Sequence, residues 1–157
     1  MPEAPAQLAP RGDDPQVFHV REEEGPDDAL GLRAEILRSL QEIGFTTPTP
    51  VQEQAIPLLL RTEKDVVALA QTGTGKTAAF GLPLLEFVDP ADRSVQALVL
   101  APTRELCVQV AENLRVYAQH AGLHVCTAFG GVDMSIQESA FKRGLDVVVA
   151  CPGRLID

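Results

Sequence analysis

Short apolar runs alternate with helical patterns from residue 66 onward, and this alternation constrains the fold more than any other feature. Runs that are apolar on both faces lie at 66–70, 97–101, 125–129 and 147–150. Continuous apolar strands are typical of parallel sheets that are covered on both faces. Helical patterns separate them over 76–88, 103–121 and 135–143. This order predicts an α/β fold, a parallel sheet with helices on both faces, with ligands beyond the carboxyl ends of its strands.

Two helices are predicted ahead of the first strand. Apolar residues recur at three- and four-residue spacing over 30–43, and Gly44 provides a stop, which indicates an amphipathic helix. The sequence TPVQ at 49–52 offers a cap, a proline at the first helical position and a capping-box glutamine. A second helix should begin there, and we expect Pro57 to bend or restart it.

The first 28 residues differ in composition from the rest. They hold eight acids, two bases and five of the twelve prolines, so this segment carries −6 of the net charge of −9. We predict an acidic, proline-rich disordered tail over 1–28 and a folded domain over 29–157. Because the whole chain is not basic, binding of a polyanion would depend on a local arrangement of donors.

Several classes of protein are disfavoured. The apolar runs are far shorter than the roughly 20 residues that cross a bilayer, and the start of the chain resembles no secretory signal. We therefore expect no membrane span and a cytoplasmic location. Cys107, Cys126 and Cys151 are odd in number and form no CxxC pair. This pattern predicts reduced thiols rather than a disulfide or zinc framework.

A glycine-rich loop, AQTGTGKT at 70–77, connects the first apolar strand to a helix. Gly73 and Gly75 can adopt backbone angles that turn N–H groups toward phosphate oxygens at a helix N-terminus, where the helix dipole favours anions. Lys76 would neutralise the β- and γ-phosphates, and the Thr77 hydroxyl would ligate Mg²⁺. The alternative is a glycine-rich turn with a solvent-facing lysine. The pattern favours binding of a nucleoside triphosphate, although alanine replaces the usual first glycine.

Five segments in order resemble the DEAD-box family of ATP-dependent RNA helicases. GFTTPTPVQ at 44–52 looks like the family's Q motif, and 70–77 matches its own variant of the phosphate loop, alanine included. PTREL at 102–106, GG at 130–131 and CPGR at 151–154 resemble three further motifs. The resemblance implies a RecA-like domain of the P-loop NTPase class that binds ATP, Mg²⁺ and single-stranded RNA. The complete protein would couple ATP hydrolysis to unwinding of RNA duplexes.

The resemblance also implies roles for individual residues. The residues implied to bind the nucleotide are Phe45, Gln52, Gln71, Thr72, Gly73, Thr74, Gly75, Lys76 and Thr77. Thr77 is also implied to ligate Mg²⁺. Contacts with the RNA backbone fall on Pro102, Thr103, Arg104, Gly130, Gly131, Pro152, Gly153 and Arg154.

For two of these assignments, a purely structural role is an alternative. The Gln52 amide could pair with the N7/N6 edge of adenine and so select ATP over GTP. It could instead complete a capping box with Thr49, and one amide orientation cannot serve both roles. Thr103 and Arg104 could be no more than a helix cap followed by a surface arginine.

The chain departs from the family pattern at several positions. Asp27 stands where the family usually carries a phenylalanine that stacks on adenine, and we do not expect Phe18 to replace it. Cys151 replaces a threonine, so a hydroxyl donor becomes a weak thiol donor. DPAD at 89–92 is predicted to be a loop and not a catalytic motif.

The chain reaches residue 157 without the DEAD sequence itself. We expect no complete catalytic set in these residues and no measurable ATP turnover by them alone. An exposed sheet edge is expected to favour association. A catalytically inactive ATP- and RNA-binding fragment is therefore the alternative to a helicase, and a P-loop kinase is disfavoured by the PTREL, GG and PGR segments.

Overall fold

The computed structural model describes the backbone of residues 16–19, and residues 30–128 and 144–153 with their side chains. From α1 onward, the described strands and helices follow each other in the order that the apolar pattern predicts. The elements are β1 (Gln16–His19), α1 (Ala34–Glu42), α2 (Pro50–Arg61), β2 (Val66–Leu69), α3 (Lys76–Phe87), β3 (Ala97–Leu100), α4 (Arg104–Tyr117), β4 (Val125–Ala128) and β5 (Val147–Ala150).

The strands pair in parallel throughout these elements. β5 lies between β3 and β4, and Ala150 is in register with Leu100 on one side and Ala128 on the other. β2 pairs with β1, so Val66 lies opposite Gln16. The parallel α/β architecture is therefore as predicted. β1 itself was not expected, because it falls within the segment predicted to be a disordered tail.

Burial of the strands is less complete than their apolar sequences predict. All four residues of β5 are buried. In contrast, Leu98 and Leu100 on β3 are 51% and 56% exposed, and Leu69 on β2 is 54% exposed. The expectation that every strand is covered on both faces is thus wrong for β2 and β3. β5 has a strand on each side, whereas β2 and β3 each pair with one strand in the described part of the chain.

The main core forms where the helices pack on one face of the three-stranded sheet. Ile36 of α1, Leu82 of α3 and Leu114 of α4 are fully buried in the same cluster as Val147 and Val149. Burying a side chain of this size contributes about 1.5–3 kcal/mol. The predicted helix over 135–143, which would lie between β4 and β5 in sequence, falls outside the described residues.

Two helix ends differ from the sequence prediction. α1 begins four residues later than the apolar pattern indicated, and it ends as predicted before Gly44, whose φ is +80°. α2 continues through Pro57 as one helix, so the expected restart is wrong, and the expected bend stays a prediction. The helix loses the backbone bond that Pro57 cannot donate, yet the buried face around Ile56 keeps it packed. Among the described residues, no helix combines the length and apolarity needed to cross a membrane.

Candidate nucleotide site and strand-end surface

The glycine-rich loop lies between β2 and α3, as the sequence predicts. Gly73 and Gly75 have φ angles of +78° and +86°, in the left-handed region that favours glycine. Gly75 is the N-cap of α3, so the amides that follow it form the first turn of a twelve-residue helix. Amides in a first helical turn have no partner within the helix, and the helix dipole is positive there. The loop therefore presents donors that suit an anion.

Side chains of the loop bond to its own backbone. The Lys76 Nζ donates to the Ala70 carbonyl at 2.7 Å, which places the ammonium across the loop from residue 76 to residue 70. The Thr74 hydroxyl donates to the Gln71 carbonyl at 2.8 Å. Thr77 lies in the first turn of α3 and is partly exposed. A bound phosphate would compete with the Ala70 carbonyl for the lysine.

Residues at the start of α2 hold the loop from the other side. The Gln52 Nε2 donates to the Gly75 carbonyl at 3.2 Å, and the Thr49 hydroxyl donates to the Thr74 carbonyl at 2.8 Å. The Gln52 Oε1 accepts from the Thr49 N–H at 2.9 Å, so Gln52 makes the capping contact. Gln52 is only 4% exposed. Its role in reading adenine stays a prediction.

The contact with Gln52 also explains why residue 75 is glycine. A Cβ atom built on Gly75 would collide with the Gln52 Nε2 and lie 3.1 Å from the Thr49 Oγ1. Any side chain there meets both a steric block and an unfavourable φ. At Gly73 the φ is equally positive, but no atom lies within 4 Å of the corresponding Cβ position.

A cavity of about 540 Å³ lies between α1 and the start of α2. Its lining combines apolar and polar side chains, and it comprises Leu30, Leu37, Leu40, Gln41, Phe45, Thr46, Thr47, Pro48, Gln52 and Leu82. Small-molecule sites commonly occupy about 300–1,000 Å³. Because Gln52 borders this cavity and also contacts Gly75, one side chain connects the cavity to the loop.

Phe45 forms part of the cavity wall and is 43% exposed. Its ring lies 6.0 Å from that of Tyr117, centroid to centroid, at an interplanar angle of 49°. Tyr117 is buried, and burial raises the pKa of its phenol. The sequence pointed to Phe45 and Gln52, but it missed the α1 residues of this wall, Leu37, Leu40 and Gln41. Their spacing indicated only a helix face.

A second candidate surface lies at the carboxyl ends of β3 and β5. Ala101 donates to the Ala150 carbonyl at 2.9 Å, so the residues that follow the two strands emerge side by side. Pro102, Thr103, Arg104, Pro152 and Gly153 are all exposed there. Thr103 caps α4, since its Oγ1 accepts from the Leu106 N–H at 3.2 Å. Of the remaining predicted RNA contacts, Gly130, Gly131 and Arg154 lie outside the described residues.

The acidic DPAD segment is a loop between α3 and β3, as predicted. The Asp89 Oδ1 accepts from the Ala91 N–H and the Asp92 Oδ1 from the Ser94 N–H, both at 2.9 Å. The bonds from Ser94 lower the pKa of Asp92. Within 30–128 and 144–153, no group of three or more acidic, histidine or cysteine side chains is arranged to hold a metal.

A sequence profile of the DEAD/DEAH box helicases matches residues 49–157, which is more than half of the chain. The chain therefore belongs to the DEAD/DEAH box helicase family. The ATP-dependent RNA helicase DeaD of Escherichia coli K12 is 49% identical over 129 residues, covering 82% of this chain and 20% of that protein. DeaD of Haemophilus influenzae is 48% identical over the same share of this chain and 21% of its own length. The chain thus spans about a fifth of these relatives.

Solved structures show the same fold. A DEAD box protein from the hyperthermophile Methanococcus jannaschii matches with a TM-score of 0.76 and 38% identity, over 81% of this chain and 34% of that one. Prp28 from Chaetomium thermophilum, bound to ADP, matches with a TM-score of 0.75 and 40% identity. The match covers 82% of this chain and 32% of the Prp28 chain. S. cerevisiae Dbp5, bound to RNA and ADP BeF3, matches with a TM-score of 0.72 and 35% identity. The match covers 82% of this chain and 32% of the Dbp5 chain. The RecA-like fold class is confirmed.

Replacing Gly75 by alanine should destabilise the protein more than the same change at Gly73. The left-handed φ costs an alanine roughly 1–2 kcal/mol at either position. At Gly75 the new methyl group also displaces the buried Gln52 amide, which adds about 1–3 kcal/mol. Urea unfolding of Gly73→Ala and Gly75→Ala measures both losses. Equal losses at the two positions would show that the Gln52 contact does not constrain the loop.

Proposed function

We propose that this chain binds ATP with Mg²⁺ at the loop after β2 and single-stranded RNA at the carboxyl ends of β3 and β5. The longer protein would use these sites to couple ATP hydrolysis to unwinding of RNA duplexes. The main support for nucleotide binding is the bond between Gln52 and Gly75. This bond connects a cavity large enough for a base to a loop that resembles a phosphate-binding loop. The DeaD relatives are named as ATP-dependent RNA helicases.

The residues of the loop fit a triphosphate by their chemistry. The Lys76 ammonium supplies one full positive charge, and the first turn of α3 supplies backbone donors. Phosphate oxygens make charge-assisted bonds with such groups, which are roughly twice as strong as neutral ones. On binding, the ammonium would leave the Ala70 carbonyl for the phosphates.

The Mg²⁺ ion would depend mainly on the nucleotide. Mg²⁺ prefers oxygen ligands and is commonly held by one or two protein oxygens together with substrate phosphates and water. Thr77 offers a hydroxyl in the first turn of α3, directly after Lys76. A bound Mg²⁺ would neutralise phosphate charge.

Adenine would occupy the cavity beside α1. To read the N7/N6 edge, the Gln52 amide would donate one N–H to N7 and accept from N6 with its oxygen. The same nitrogen and oxygen bond the Gly75 carbonyl and the Thr49 N–H, so recognition of the base would be connected to the conformation of the phosphate loop.

We do not expect these residues alone to hydrolyse ATP. The carboxylates of the DPAD loop bond to their own turn, and Asp89 and Asp92 follow α3 at the end opposite to Lys76. In P-loop enzymes an acidic residue near the phosphates holds the metal, and an arginine finger contributes about 10³–10⁵ in rate. We propose that the 157 residues bind ATP without measurable turnover.

Nucleotide titrations test the loop and the adenine contact separately. Lys76→Ala should weaken binding of fluorescent ATP and GTP analogues alike, by about a hundredfold, because both triphosphates lose a charge-assisted bond. Gln52→Ala should also lower the ratio of ATP to GTP affinity by about tenfold, since the amide reads the base.

Two matched variants serve as controls. Lys64→Ala makes the same charge change away from the loop and should leave both affinities unchanged. Thr49→Val removes the contact with Thr74 without touching the base, so it should weaken both nucleotides and leave their ratio intact. Wild-type affinity in Lys76→Ala would contradict the loop assignment, and an unchanged ratio in Gln52→Ala would contradict the adenine role.

RNA binding is supported by the surface at the ends of β3 and β5. Arg104, Pro152 and Gly153 are exposed on segments that follow the neighbouring strands β3 and β5. Exposed backbone and arginine groups of this kind suit phosphates more than base edges. Dbp5, whose fold matches, was solved with RNA bound. Because the chain carries a net charge of −9, attraction must come from this local surface.

Titrations with labelled single-stranded RNA of different sequences test whether the chain binds the RNA backbone at the carboxyl ends of β3 and β5. We expect affinity to fall steeply with added salt and to vary little with sequence. Arg104→Ala should weaken binding uniformly and reduce the slope of log affinity against log salt by about one unit. The control Arg61→Ala removes an exposed arginine at the end of α2 and should change neither quantity. A strong preference for one sequence would contradict backbone recognition.

A further inference from the structure

Two cysteines on separate elements meet at the carboxyl edge of the three-stranded sheet. Cys107 lies in the first turn of α4, and Cys151 directly follows β5. Their Sγ atoms are 3.3 Å apart, although 44 positions separate them along the chain. Both are free thiols in this structure. Spacing along the sequence gave no indication of the contact, because it arises from the packing of α4 onto the end of β5.

Backbone hydrogen bonds hold both cysteines in place. Cys151 donates its N–H to the Ala128 carbonyl at 3.0 Å, which anchors it to the neighbouring strand β4. Cys107 donates its N–H to the Thr103 carbonyl at 3.0 Å within α4. The Cys107 thiol also lies 3.9 Å from the Ala101 carbonyl at the end of β3. Neither cysteine depends on a flexible loop for this position.

We propose that Cys107 and Cys151 are a redox-active pair that peroxide converts into an intramolecular disulfide. A disulfide has an S–S length of about 2.05 Å, so the two sulfurs need to approach by about 1.3 Å. Rotation of the two cysteine side chains would have to supply this movement. The bond would fix the first turn of α4 to the end of β5.

Exposure determines which cysteine reacts first. Cys107 is fully buried, whereas Cys151 is partly exposed. Burial, together with the hydrogen bond shared with Cys151, raises the pKa of the Cys107 thiol to about 11. A thiolate is the nucleophile toward peroxide, so Cys107 is the poorer first target at neutral pH. Cys151 is therefore the residue that peroxide oxidises first.

The chemistry balances in two steps. The Cys151 sulfur attacks one oxygen of hydrogen peroxide and the O–O bond breaks, which yields a sulfenic acid and one water. The Cys107 sulfur then attacks the Cys151 sulfur, the S–O bond breaks, and the hydroxyl leaves with the thiol proton as a second water. The two thiols lose two electrons in total, and the peroxide accepts them. A thiol reductant reverses the change by exchange.

The third cysteine provides an internal control. Cys126 lies on β4 and packs with Val148 in a separate cluster, on the opposite face of the sheet from Cys107. Its thiol donates to the adjacent Thr127 carbonyl at 3.5 Å. Geometry excludes it from the pair, so its removal should not affect the reaction.

Counting free thiols in the folded 157-residue chain tests the proposal. The reduced protein is exposed to hydrogen peroxide, its remaining thiols are alkylated, and the peptides are mapped by mass spectrometry. We expect the number of alkylated cysteines to fall from three to one, with the label on Cys126 and a cross-link between Cys107 and Cys151. The thermal midpoint should rise by roughly 5–10 °C, because the bond closes a long loop.

Three variants separate this outcome from other oxidation chemistry. Cys126→Ser should form the cross-link at the wild-type rate. Cys107→Ala should accumulate a sulfenic acid on Cys151 that dimedone traps. In Cys151→Ala, peroxide should oxidise Cys107 at least about tenfold more slowly than in the wild type, so Cys107 stays available for alkylation. The proposal is overturned if cross-links join different chains, include Cys126, or appear only after unfolding in urea. It is equally overturned if all three thiols survive peroxide that oxidises free glutathione.

Discussion

The junction between the glycine-rich loop and α3 is the constraint on which the candidate nucleotide site depends. Gly75 has a φ of +86° and caps α3, and its carbonyl accepts a bond from the buried Gln52 amide. Thr49 adds a second bond to the same loop at the Thr74 carbonyl. One glycine therefore joins the start of α2 to the start of α3. This contact therefore connects the Gln52 side of the cavity to the phosphate loop.

The second surface is fixed by strand pairing instead of side chains. β3 and β5 run in parallel and in register, so the segments that follow them emerge at one edge. Arg104 and Gly153 are separated by nearly fifty positions in sequence, but the register places their segments side by side. The same geometry brings Cys107 and Cys151 together. A sheet with parallel neighbours gathers distant residues at the carboxyl end, which is where RecA-like proteins bind ligands.

Local patterns predicted most of the elements. The apolar runs identified β2, β3, β4 and β5, and the glycine pattern identified the loop and the start of α3. Gly44 and the TPVQ cap also predicted the end of α1 and the start of α2. These features are encoded within a few consecutive residues, so they can be read without knowledge of the packing.

What the sequence could not predict depends on distant packing. The bond from Gln52 to Gly75 spans 23 positions, and the contact between the two cysteines spans 44. The exposure of Leu98 and Leu100 depends on which strands lie beside β3, and an apolar run gives no information on that. Likewise, β1 pairs with β2 although its surroundings are acidic and rich in proline. The roles assigned to Gly130, Gly131 and Arg154 stay predictions.

Amide NMR spectra recorded during titration with inorganic triphosphate and with ATP–Mg²⁺ would show whether the glycine-rich loop binds the triphosphate. We expect inorganic triphosphate to shift the resonances of the backbone amides of Gly73, Gly75 and Lys76. ATP should shift these amides and, in addition, the side-chain amide of Gln52, because only ATP carries the base. Saturating ATP that leaves the three backbone amides unchanged, while resonances elsewhere move, would contradict the site described here.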